Sequence, residues 1–107
     1  MLGDVLPRRT VRASVLWAWM LKLLGGLSVR AASEGLPFAL ETFRALKRRV
    51  VRDMERIRTR LWGKKPPPAS RHSDPLLQTC EHLQSAFAGS ACPVAAFQLH
   101  FQVPFFA

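Results

Sequence analysis

The sequence predicts an all-α, non-globular chain: an apolar N-terminal helix, a hinge, a long basic amphipathic helix and a largely disordered C-terminal tail. Three observations carry this reading. Apolar residues recur at steps of three and four between Pro37 and Trp62; an apolar run occupies residues 13–29; and the net positive charge sits almost wholly in the first two thirds of the chain, where three prolines at 66–68 close the basic stretch. The segments follow as 1–35, an apolar anchor or targeting segment; 36–65, the basic helix; and 66–107, a Pro-rich linker and apolar tail. At 107 residues the chain is at most one domain.

The first segment, ASVLWAWMLKLLGGLSV, follows Arg8, Arg9 and Arg12 and is broken once by Lys22. Its 17 residues would reach about 25 Å as a helix, the short end of what spans a bilayer. Seven Leu or Val residues contribute about −0.3 to −0.6 kcal/mol each to insertion, whereas a central Lys costs about +2.5 to +3.5 kcal/mol, so insertion is near break-even. Val15, Leu16, Trp17, Trp19, Leu21, Leu23, Leu24 and Leu27 are the candidate membrane-anchor residues, with core packing as the competing role for Trp17 and Trp19. Arg8, Arg12, Lys22 and Arg30 share a helical sector of roughly 80°, and no acid occurs between Asp4 and Glu34. An acid-free, Arg-bearing amphipathic N-terminus resembles a mitochondrial presequence, while Val29-Arg30-Ala31 also fits a secretory cleavage site. Lys22 inside the apolar run argues against the secretory route.

Gly25, Gly26 and the stretch from Ser33 to Gly35 form the hinge. Pro37 suits a first helical turn, and Leu40, Phe43, Leu46, Val50, Met54, Ile57 and Leu61 line one face of the helix that follows. Gly63 is placed for a left-handed terminal residue, Lys64 and Lys65 favour the negative end of the dipole, and Pro66 to Pro68 forbid continuation. Residues 36–65 hold ten Lys or Arg against Glu41, Asp53 and Glu55, and therefore carry most of the net charge of +9. Arg44, Lys47, Arg48, Arg49, Arg52, Arg56, Arg60, Lys64 and Lys65 are the candidate residues for binding an anionic surface. Exposed i,i+4 pairs add only about 0.2 to 0.5 kcal/mol each, so the helix needs a surface on which to lay its apolar stripe.

After Glu81 the tail carries no Lys, Arg, Asp or Glu. Phe97 to Val103 alternates apolar and polar residues as a half-buried strand does, but one strand has no sheet to join. The tail is therefore expected to be disordered, with Phe105, Phe106 and Ala107 as an exposed apolar terminus.

No catalytic constellation emerges. The central carboxylates sit among arginines, and Cys80 with His82, or Ser73 with His72, are adjacent without orientation, so the chain is expected not to be an enzyme and to need no cofactor. Cys80, His82, Cys92 and His100 have the wrong spacing for a compact zinc site, so no metal is expected. Two cysteines allow one bridge at most, and a secreted chain would form it between Cys80 and Cys92.

The basic helix points to a small membrane-associated interaction or scaffold protein that lays it on an anionic membrane surface, with a mitochondrial address ahead of the secretory pathway. The alternatives are a soluble or organelle-imported adaptor whose helix meets an acidic protein or partner helix, through a seam of Leu36, Phe43, Val50 and Ile57, and a chain without selected biochemical function. A helix folded back on residues 13–29 is the bland possibility. Nucleic acid fits the charge less well, since no stacking aromatics alternate with the arginines.

Overall fold

The computed structural model describes residues 12–70 and 72–106. The first helix, α1, spans Ala13–Leu24 and so covers only part of the apolar run at 13–29. It stops because Gly26 adopts φ 99°, with its amide bonded to Leu23 O at 3.0 Å and the Leu27 amide reaching back to Lys22 O at 3.2 Å. This is the Schellman arrangement, which satisfies carbonyls that a helix end leaves open. Gly26→Ala is expected to lower stability by about 1–2 kcal/mol, since an L side chain is strained at that φ although nothing crowds its Cβ. Chemical denaturation of the two proteins checks it.

A short helix, α2 (Val29–Ser33), is capped by Ser28, whose hydroxyl accepts from the Ala31 amide at 3.1 Å. Lys22, read from sequence as an obstacle to membrane insertion, donates to Glu34 O at 2.9 Å and so ties the turn after α2 to α1.

The basic helix, α3, is Leu40–Lys64. It begins three residues after Pro37 and runs through Gly63, which is helical and not left-handed. Lys65, at φ −160° and ψ 139°, has the extended backbone imposed on a residue that precedes proline, and this ends the helix.

The tail departs most from expectation. Asp74 accepts from the Leu76 amide at 2.9 Å and Pro75 occupies the first turn of α4 (Pro75–Ala86). Cys92 and Pro93 open α5 (Pro93–Phe101), which ends where Gln102 turns left-handed at φ 56°. Residues 97–101 are thus helical, and the strand-like alternation misleads for a specific reason. Gln98 is fully buried, its Oε1 accepting from the Phe105 amide at 3.0 Å, whereas Leu99 is 54% exposed. The polar residue faces in and the apolar one faces out.

Phe105 and Phe106 are buried, correcting the expected exposed terminus, while Ala107 lies outside the described residues. Arg56 on α3 holds this segment by donating to the carbonyls of Pro104, at 3.3 Å, and of Phe105.

One core joins all of this. α1 packs on α2, α4 and α5; α3 packs on α2 and α4; and α4 packs on α5. Trp19 stacks on Phe43 with ring centroids 5.5 Å apart, and Phe97 meets Phe105 edge-on at 5.3 Å. The Cα radius of gyration is 12.7 Å, against about 13 Å for a compact domain of 100 residues. The helical class stands, and no strand occurs among the described residues. The non-globular shape and the disordered tail give way to a packed helical domain, because α4 and α5 supply the apolar surfaces that α1 and α3 need.

Candidate anionic-partner interface

The apolar stripe of α3 faces the protein's own interior. Phe43, Leu46, Val50, Ile57 and Leu61 are at most 1% exposed, and Leu40 and Met54 are half-buried beside them. The candidate anchor residues share that fate. Leu16, Trp17, Trp19 and Leu23 are buried, Val15 and Leu24 pack against the same core, and Leu21 and Leu27 are exposed. Among the described residues no helix is long and apolar enough to cross a membrane. At about 1.5 Å per residue, the 12 residues of α1 cover about 18 Å of the roughly 30 Å required.

The basic residues separate into three groups. Near the C-terminus of α3, Lys64 places its ammonium 5.1 Å from the Phe87 ring centroid and Lys65 donates to Ser85 O at 3.4 Å, so both reach toward the α4 end and the turn beyond it. His82, also buried, places Nε2 2.7 Å from Lys65 O, a position from which only a protonated nitrogen can bond.

Arg52, Arg56 and Arg60 form the second group, lining a polar cleft of about 440 Å³ with Asp53 and Glu55. Arg52 grips Asp53 through two bonds of 2.8 and 3.1 Å, and its pKa is raised by that hydrogen bonding and by the carboxylate charge. Arg56 is shifted down by burial, in keeping with its inward role at Pro104 and Phe105. Arg49 lies half-buried beside Arg48 and Arg52. Arg52 and Arg56 are thus engaged within the molecule.

The third group faces outward. Arg44, Lys47 and Arg48 line a cavity of about 430 Å³ together with Val29 and Val51. Val51, Met54, Glu55, Arg58, Thr59 and Trp62 line a second of about 520 Å³. Val51 lines both, so the two hollows lie end to end as a trough along the flank of α3. Val51 is 53% and Trp62 57% exposed. Arg44 pairs with Glu41 at 2.9 Å on the open surface, where such a pair is worth about 0–1 kcal/mol, and no described carboxylate lies within ion-pair distance of Lys47, Arg48 or Arg58.

Sequence reasoning missed Val29, Val51, Arg58 and Trp62 as parts of one surface. The signal is the series 44, 48, 51, 55, 58 and 62, whose alternating steps of four and three mark a second stripe beside the buried one. Arg8, which belongs to the basic sector of the N-terminal segment, and Arg9 lie outside the described residues.

The thiols offer little chemistry. Cys80 is fully buried and its pKa is pushed up to about 12, chiefly by burial and secondarily by Asp74, so the thiol stays protonated near neutrality. No disulfide joins Cys80 and Cys92, and among the described residues no group of three His, Cys, Asp or Glu side chains is placed to hold a metal. No protein-family model, curated protein or solved structure matches the chain.

Proposed function

We propose that this protein is a small helical adaptor that presents the solvent side of α3 to an acidic protein surface. The observation that carries the reading is the division of labour on α3: its apolar stripe lies in the core, while Arg44 and Arg48 are exposed opposite. Laying the apolar stripe on a bilayer would require withdrawing Phe43, Leu46, Val50, Ile57 and Leu61 from the core. Lipid would bury that stripe again but would leave the core residues it now covers, Trp19 among them, exposed to water, so the packed domain would have to open. Electrostatic contact through the outward charges requires no such opening.

A second reading is peripheral contact of the closed fold with an anionic membrane, favoured by the exposure of Leu21, Leu27 and Trp62. For the address, the acid-free basic N-terminal segment supports the mitochondrion.

The test replaces Arg44, Arg48 and Arg58 by serine together. A Glu-rich peptide should bind the native protein with an affinity that falls steeply with salt, and the triple variant should lose about tenfold or more while keeping its circular dichroism. Equal affinity in the variant would remove the basis for this reading. Sedimentation with phosphatidylserine vesicles, unaccompanied by peptide binding, would transfer it to the membrane.

A further inference from the structure

We propose that the trough between Val29 and Trp62 is a docking groove for an acidic amphipathic helix of a partner protein, an inference that rests on the adaptor reading and specifies its partner. The shape comes first. Val51 lines both of the adjacent hollows, of about 430 and 520 Å³, and Met54 and Trp62 continue the apolar lining toward the end of α3. From Arg44 to Trp62 the flank measures about 27 Å at 1.5 Å per residue, the length of a helix of about 18 residues.

Side-chain rows at alternating steps of three and four are what one helix offers to the ridge of another. The described residues hold no β-strand and so offer no sheet edge for an extended peptide to join, and a groove on a helix flank is suited to side chains from a second helix.

Charge selects the partner's chemistry. Arg44, Lys47, Arg48 and Arg58 border the apolar lining, and Glu55 is the only carboxylate among the groove's lining residues. A partner helix with Leu-type residues at i, i+3, i+4 and i+7, flanked by Asp or Glu, answers both features at once. A second copy of this chain does not, because two such faces on molecules of net charge +9 repel. A bilayer does not answer them either: its surface is flat, whereas Val51 lies in a hollow bordered by arginines.

Val51→Lys separates the possibilities by sign. The substitution adds positive charge, occupies the groove with a polar chain and sits on an exposed helical position that favours Lys over Val. The probes are a helical peptide of about 18 residues presenting a Leu face flanked by Glu, and a control with the same Glu residues and Ser in place of Leu, both measured at about 150 mM salt.

Wild type should bind the Leu/Glu peptide at least about tenfold more tightly than the control, and Val51→Lys should weaken the first by about tenfold while leaving the second unchanged or tighter. Leu/Glu affinity that is unchanged or increased in Val51→Lys overturns the groove and leaves the adaptor reading intact. If neither peptide binds wild type, the adaptor reading itself fails. Displacement of the bound Leu/Glu peptide by phosphatidylserine vesicles or by duplex DNA would also overturn the groove, showing that the surface serves lipid or phosphate.

Discussion

A chain lacking residues 1–31 is expected to show no cooperative unfolding transition and a far-ultraviolet signal well below that of the full chain. Leu16, Trp19 and Met20 on α1 are fully buried, and α1 packs against both α4 and α5. Removing three such side chains from a small core forfeits about 6–15 kcal/mol, at the 2–5 kcal/mol typical of a large-to-alanine change and counting only these positions. That is comparable to the about 5–15 kcal/mol by which domains are usually stable. Calorimetry of the truncated and full chains makes the comparison. The result bears on the Val29-Arg30-Ala31 cleavage reading, because a cut after Ala31 would delete a wall of the core. A truncated chain that melts cooperatively near the temperature of the full one would show that α1 is dispensable and would restore the detachable leader.

Phe43→Ala is expected to lower stability by about 3–5 kcal/mol, which at about 4–8 °C per kcal/mol for a domain near this size lowers Tm by more than about 12 °C. The ring is fully buried, stacked on Trp19 and approached edge-on by Phe38 with centroids 6.5 Å apart. Truncation therefore removes apolar burial, leaves a cavity and loses aromatic pairing worth about 0.5–1.5 kcal/mol. The contrast is Val51→Ala, eight residues along α3 on its exposed flank, expected to change stability by less than about 0.5 kcal/mol. Thermal melts of the two variants in dilute buffer without lipid provide the measurement. If Phe43 instead lay ready to enter a bilayer, both substitutions would leave the aqueous Tm unmoved and only vesicle affinity would fall.

What the sequence disclosed depended on whether the information was local. The period of α3 is local: Phe43, Leu46, Val50, Ile57 and Leu61 announce a helix whatever they later touch. The destination of that stripe is not local, since burial by lipid and burial by another helix demand the same residues. Trp17 and Trp19 illustrate this, being as compatible with an interfacial belt as with the core in which they are found. Two parts of the tail were readable and were passed over. Asp74-Pro75 is a helix start signal, and Leu76, Cys80, Leu83 and Phe87 follow at helical spacing. Low charge and high apolar content there, from which disorder is expected, equally suit a helix that covers others. Gln98 was unreadable by any local rule, because its burial depends on an amide seven residues later. The outward trough lay between these cases: its residues were visible, but its concavity depends on where α2 meets α3 and places Val29 beside Val51.

The bond from Arg56 to the carbonyls of Pro104 and Phe105 spans 48 and 49 positions of chain. Its consequence is kinetic. Helices usually confer fast folding because their contacts are local, yet here α1 must also find α5, and α3 must find the segment beyond it, across long loops whose closure entropy is lost before any packing is gained. Until those distant pieces arrive, the rings of Phe97 and Phe105 and the inner side of α1 remain in water. The molecule therefore passes through a sticky adolescence that a bundle of neighbouring hairpins would avoid, and the concentration at which it is synthesised or refolded matters more than its helix content suggests.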